Sequence, residues 1–300
     1  MTKKNNFKKE TTKKKKEKQR KKRRQRRKRR KTKLVRLTDA QWERIKPHLP
    51  KYKPSAKGGR PPSDDREVLE GILWMLRTGA RWQDLPGEYP SPSTCWRRLK
   101  KWQNMGIWEK IWQAFLAELD AQGKIDWEET SIDGSFAPAK KGGKCVGKTK
   151  KGKGTKLMVV VEGREGIPMA RKITSASPAE CKLAKSTMDN VRVPRKGRGR
   201  PKKRPKRTMG DKAYDSDPLR KEFKECGIEL ICPHRKNRKK KKIQDGRKLR
   251  RYKRRWKVER TFAWLGNYRH LLIRHERYVE IYDAFFCLAC AMIALNWVLK

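Results

Sequence analysis

Near Gly123 the hydrophobic period of this chain changes from about 3.6 residues to 2. A chain that changes period once reads as a helical part followed by a strand-containing part. Before the change, apolar residues recur at spacings of three and four. Trp42, Ile45 and Leu49 form one stripe, with Thr38 as its N-cap and Pro47 and Pro50 at its end. A second helix carries Val68, Leu69, Ile72, Leu73, Met75 and Leu76, is capped by Asp64 or Asp65, and ends at Gly79. Ser93 is expected to open a third, with Trp96, Leu99 and Trp102 on one face and Arg97, Arg98, Lys100 and Lys101 elsewhere. The fourth covers 108–121. Short helices with one basic face suggest a helix-turn-helix-like, DNA-binding domain over 34–124, with a Gly/Pro-rich linker at 51–63 between its first two helices; a helical bundle whose charges are only solvated is the alternative.

Beyond the change, the order is strand (130–136), hairpin (156–161 and 167–173), helix (178–188, Ser177 as cap), strand (207–210), helix (218–226) and strand (228–232). A long helix over 247–268 and an apolar one over 279–299 follow. The fold class is therefore α/β with a mixed sheet covered by helices. Three basic loops, 140–154, 192–206 and 235–242, interrupt the pattern.

Charge limits the partners. Lys and Arg number 84 against 32 Asp and Glu, a net charge of +52. A field of that sign attracts polyanions, nucleic acid first among them. Residues 1–33 alone hold 21 Lys/Arg against Glu10 and Glu17, with no aliphatic residue after Met1, and read as a disordered polybasic arm. The 11 Trp, 7 Tyr and 7 Phe exclude disorder of the whole chain. No window holds 18 uncharged apolar residues, so no membrane partner is expected. Seven scattered Cys argue against a disulfide framework and for a reducing compartment. Cys226, Cys232 and His234 read as packing residues, and Cys287 and Cys290 as small core groups. His270 and His275, near Arg269, Arg274 and Arg277, read either as DNA contacts or as surface cover.

Asp133 stands mid-strand, where Asp is rare. Asp211 ends a short strand, and Glu259 lies on a helix between apolar neighbours. Carboxylates brought together from a first strand, a later strand end and a packing helix repel one another and would hold divalent metal through hard oxygens. By composition alone, ordinary surface acids or ion pairs remain the alternative for each.

Six stretches add a resemblance. Leu37 to Trp42, Gly59 to Pro62 with Asp64 to Val68, and Ile72 to Ala80 with Trp82 and Asp84 to Pro86 are similar to bacterial insertion-sequence DDE transposases of the insertion sequence five type. So are Ile132 to Ser135, Gly210 to Ser216 and Arg255 to Leu265. The resemblance spans residue 37 to the C-terminus. It implies an RNase H-like catalytic domain over 125–300 and two Mg²⁺ (or Mn²⁺) ions on Asp133, Asp211 and Glu259. The implied activity is cleavage of double-stranded DNA at transposon ends and joining of the 3′ ends to target DNA. A Tyr-x-x-Arg-x-x-x-Glu pattern is present as Tyr252, Arg255 and Glu259. The family's Lys seven residues on is Gly266 here, so basic help there falls to Arg269 or His270.

Bringing two ends together implies a homodimer or higher on DNA, in the cytoplasm and associated with the nucleoid. Arg198 and Arg200 stand in an Arg-Gly-Arg-Pro core that resembles an AT-hook, against the alternative of a general phosphate grip. Rival readings are a non-catalytic DNA-binding protein derived from a transposase, and a ribosomal-type RNA binder, which does not explain the mixed domain.

Deleting residues 1–33 is expected to weaken binding to all duplexes about equally. It should also flatten the salt dependence, since each neutralised phosphate contributes a log-log slope of about −0.9. Affinities from 50 to 300 mM salt test this. An unchanged slope would show that the arm does not touch DNA.

Overall fold

The computed structural model describes residues 34–51, 61–239 and 246–300; the arm 1–33, most of the 51–63 linker and the end of the 235–242 loop lie outside them. Helix α1 (Asp39–Ile45) starts at Thr38, which shares a capping box with Gln41. Helix α2 (Asp65–Thr78) begins at Asp64, whose carboxylate accepts from the Arg66 and Glu67 amides. It ends at Gly79, in the left-handed region at φ 63°, where a Cβ would stand 3.0 Å from the Arg269 backbone. Helix α3 (Pro92–Asn104) starts earlier than expected, with Ser91 as cap. Pro92 suits the first helical position because its missing N–H has no partner there anyway. Helix α4 (Ile107–Ala121) buries Trp108, Trp112 and Phe115.

One six-stranded sheet follows: β1 (Glu129–Pro138), β2 (Gly147–Thr149), β3 (Gly152–Glu162), β4 (Pro168–Ser175), β5 (Arg207–Met209) and β6 (Glu229–Ile231). Its path is β2-β3-β1-β5-β6, with β4 also paired to β3. β3 runs antiparallel to β1, β2 and β4, whereas β1, β5 and β6 are parallel. Asp133 pairs in register with Val159, and Ser131 with Met209. The 140–154 segment, expected as a loop, thus contains β2 and the start of β3. Its glycines and lysines carry no apolar alternation because this end of the hairpin is exposed.

Helix α5 (Glu180–Met188) packs on β3, β4 and β1, and α6 (Asp217–Glu225) on β6. No side chain caps α5; the Ser177 hydroxyl donates to the Lys148 carbonyl instead. The expected single helix over 247–268 is two: α7 (Gly246–Tyr252) and α8 (Trp256–Gly266), with a 3₁₀ turn at Lys253–Arg255 between them. Like charges at i,i+4, Arg250 with Arg254 and Arg251 with Arg255, work against a regular helix there.

Helix α9 (Val279–Val298) is buried almost all round and packs on α3, α4, α8 and β4. By length and composition it would cross a membrane, but 83% of its apolar window is buried inside the protein. The helical and sheet parts therefore share a core, and Leu37–Lys300 forms one compact unit although the period changes near Gly123.

Candidate active site

Asp133 lies in the middle of β1, and Arg255 in the turn before α8 reaches it: Arg255 Nη1 donates to Asp133 Oδ2 at 2.7 Å. The other arm of the same guanidinium, Nη2, donates to Glu259 Oε1 at 2.5 Å. One fork therefore holds a carboxylate from β1 and one from α8. The Tyr252 ring lies 5.9 Å from the Arg255 carbon.

Several anchors bring α8 there. Glu129, buried at the start of β1, pairs with Arg251 and Arg254. Lys257 donates to the Gly163 carbonyl, Arg260 to Glu165 O at 2.6 Å, and Thr261 to Gly166 O at 2.5 Å. These three carbonyls belong to the β3–β4 turn. Buried Glu162 shapes that turn by accepting from the amides of Arg164, Glu165 and Ile167.

Asp211 follows β5 and caps a 3₁₀ turn, its Oδ1 accepting from the Ala213 amide at 2.7 Å. Burial pushes the Asp133 carboxyl up, and the charge of Asp211 adds to that push, against the Gly134 amide and Arg255. Asp211 is therefore within electrostatic reach of Asp133.

A fourth acid, which the sequence did not single out, joins them. Glu180, first residue of α5, lies 3.6 Å from Lys156 Nζ and accepts from the Tyr214 hydroxyl at 3.4 Å. Burial raises its carboxyl too, helped by Asp133 and Asp211. An acid in a helix's first turn is so ordinary that nothing in the sequence marked this one.

Four acids with hard oxygens suit a divalent cation such as Mg²⁺ or Mn²⁺. Among the described residues, however, no three acidic, imidazole or thiol groups stand close enough to enclose an ion as they are. Between Asp133 and Glu259 the bridging charge is that of Arg255, so a cation entering there must exchange with the guanidinium.

Asp215 organises the neighbouring loop. It pairs with Arg220 at 2.6 Å, His234 at 3.0 Å and Arg238 at 3.3 Å, and accepts from the Arg235 amide at 2.7 Å. Burial alone would raise its carboxyl, but the Arg235 amide, His234 and Arg220 outweigh it and hold it at about 2. Arg235 also donates to the Lys212 and Ala213 carbonyls, and Arg238 Nη2 donates to both carboxylate oxygens of Asp217. Within the described part of the 235–242 loop, then, Arg238 turns inward, while Arg235 stays exposed although it is tied to the loop backbone, and Lys236 and Lys239 are exposed beside it.

The expected DNA contacts divide similarly. Arg97, Lys100 and Lys101 are exposed on α3, but Arg98 is half-buried, paired with Asp65 and placed over Trp102. Arg198 and Arg200 are exposed on a loop closed by the Val193–Lys202 bridge. Arg269 is exposed. His270 is buried, 2.7 Å from Glu276, and Arg274 is fully buried against Thr155, so neither faces DNA. Cys287 and Cys290 are buried in α9, where burial pushes the Cys287 thiol up to about 12.

Because the folded Asp215 titrates below an unfolded Asp, its contribution to stability is complete above about pH 4 and disappears as pH falls through about 2. Asp215→Asn is expected to cost about 2 kcal/mol at pH 7, a gap that narrows toward pH 2. Urea unfolding across that range measures it. Equal stability at pH 7 would show that the cluster contributes nothing.

Comparison with known proteins places this geometry. Residues 37–112 match a family model of transposases of the IS4/5 family, and residues 125–294 match the transposase DDE domain. An uncharacterised 16.2 kDa protein of insertion element IS402 from Burkholderia cepacia is 41% identical over 117 residues, 38% of this chain and 80% of that one. A Burkholderia cepacia protein named as a transposase for insertion sequence element IS402 is 34% identical over 137 residues, 46% of this chain and 61% of that one. This chain thus spans less than two thirds of the latter. A solved structure of piggyBac transposase in a synaptic complex with hairpin DNA has a similar fold at TM-score 0.50 and 11% identity, over 88% of this chain and 71% of that one. The DDE match covers more than half of the chain, from β1 to α9, and on that ground the chain belongs to the DDE transposases.

Proposed function

We propose that Asp133, Asp211 and Glu259 are the carboxylates with which this transposase holds two divalent cations, Mg²⁺ or Mn²⁺, while it cuts and joins DNA. The sharing of Arg255 between Asp133 and Glu259 carries the reading, because it draws two acids from distant parts of the chain to one point. When bound, the cations would supply Lewis acidity to the attacking and leaving oxygens of an in-line displacement. Asp133 on β1 and Asp211 just beyond the end of the neighbouring parallel strand β5 hold their oxygens on a rigid frame, and Glu259 closes the site from α8. Water, then the freed 3′ hydroxyl, is the nucleophile, and no covalent bond to the protein forms.

Arg255 has two duties in this reading. Without metal its single positive charge is shared between Asp133 and Glu259. Once released, its planar fork can take two oxygens of the phosphate beside the scissile bond. Tyr252, beside the guanidinium, keeps it aligned. The exposed charges at Arg97, Lys100, Lys101, Arg198, Arg200 and Arg269 grip phosphates of the element ends and target. The helices of 34–124 serve as the DNA-binding domain and 125–300 as the catalytic domain. Two ends must meet, so the working form on DNA is a homodimer or larger, resident at the nucleoid.

Nicking of supercoiled DNA that carries the element ends tests this. Asp133→Ala, Asp211→Ala and Glu259→Ala are each expected to abolish cation-dependent nicking while duplex affinity holds. Arg255→Lys keeps the charge but loses the fork, and should slow cleavage at least about tenfold, roughly 1.4 kcal/mol of barrier. Near-normal nicking by Asp211→Ala would contradict the assignment. Unaltered rates in both Arg255→Lys and Arg255→Gln would remove Arg255 from the site.

A further inference from the structure

Glu180 sits where a carboxylate is costly. It is half-buried, and its two polar contacts are long, 3.6 Å to Lys156 Nζ and 3.4 Å to the Tyr214 hydroxyl. As the first residue of α5 its simplest employment would be at the helix N-terminus. The side chain goes elsewhere: a Cβ on Gly134 would stand 3.0 Å from both Glu180 Cδ and Oε1. The carboxylate therefore lies against the β1 backbone beside Asp133, in space that exists because residue 134 has no side chain. Tyr214, three residues after Asp211, reaches the same carboxylate with its hydroxyl. Glu180 is thus flanked by the neighbour of Asp133 on one side and the turn after Asp211 on the other. The cation nearest to it, Lys156 Nζ, is already bound to the Pro178 carbonyl at 2.7 Å and stands beyond hydrogen-bond distance from Glu180.

We propose that Glu180 is a fourth carboxylate of the metal centre, giving an oxygen, directly or through water, to the cation held by Asp133 and Asp211. This rests on the reading of Asp133, Asp211 and Glu259 as metal ligands. Two divalent ions call for more negative charge than three carboxylates supply, and a fourth brings the centre to neutrality. Glu180 is suited to that part because, unlike Glu259, it is not committed to Arg255. Gly134 is then a spacing residue: it keeps the room through which α5 delivers its acid.

The test is Mn²⁺ binding by the full chain without DNA, read by calorimetry, with thermal melting in the presence and absence of Mn²⁺. Glu180→Gln, which keeps the shape and the Tyr214 contact, is expected to bind Mn²⁺ at least about tenfold more weakly. Its metal-free melting temperature should hold or rise, and the rise on adding Mn²⁺ should shrink. Glu180→Asp, which keeps the charge but retracts the carboxyl, should weaken binding in the same direction and serves if the Gln variant melts early. Wild-type affinity in both variants, beside a clear loss in Asp211→Asn, would overturn the role of Glu180 and leave the three-acid reading standing. Wild-type affinity in Asp211→Asn as well would overturn both.

Discussion

The Arg255 guanidinium joins two carboxylates that would otherwise repel, Asp133 from β1 and Glu259 from α8, which stand 126 positions apart in sequence. The rest of the site depends on that junction. It forms because α8 is already fastened: Glu129 takes the two arginines before it, and Lys257, Arg260 and Thr261 take three carbonyls of the β3–β4 turn. Surface ion pairs contribute little; the Arg255–Glu259 arm is of that exposed kind, but the Arg255–Asp133 arm is half-buried, and one rigid fork makes both. Losing Arg255 would leave half-buried Asp133 beside Asp211 without its hydrogen-bonded guanidinium. Under the proposed function, the ion-paired arrangement is a resting state in which one arginine supplies part of the positive charge that a divalent cation would bring.

The chain's large positive charge does two different things. Arg98, Arg238 and Arg274 turn inward, and Arg235 and Arg251, though exposed, are likewise tied to acids or carbonyls that hold elements together. Arg97, Lys100, Lys101, Arg198 and Arg200 stay exposed, where a polyanion can meet them. The two groups overlap in sequence, within single helices and loops, so net charge says that nucleic acid is a partner without saying which residues touch it. Apolar burial is just as concentrated: α9 supplies the layer against which α3, α4 and β4 all pack.

Much of this was legible in the residues. The helix caps at Thr38 and Asp64, the stop at Gly79 and the strand around Asp133 follow from local chemistry, which works over a few residues and shows in a single pattern. Asp133, Asp211, Glu259 and Arg255 are singled out by the resemblance; composition and pattern alone leave ordinary surface acids as the alternative for each of the three carboxylates. What escaped depends on distant partners. The break at 253–255 needs Glu129 and Asp133 on another element to claim Arg251, Arg254 and Arg255. The inward turn of Arg238 needs Asp215 and Asp217. The strand β2 is three residues of Gly, Lys and Thr with no apolar alternation to announce it. Glu180 looked like any first-turn acid, and only the missing side chain of Gly134, on a strand 46 positions earlier, reveals where its carboxyl goes.

A crystal structure of the full chain grown with Mn²⁺, phased on the manganese, tests the resting-state view most directly. Anomalous density should appear about 2.0–2.3 Å from the carboxylate oxygens of Asp133 and Asp211, with Arg255 withdrawn beyond about 4 Å from at least one of its two acids. Arg255 still bridging Asp133 and Glu259 at saturating Mn²⁺, with no manganese beside Asp133, would show that this pair is a fixed structural tie and that the cations, if any bind, do so elsewhere.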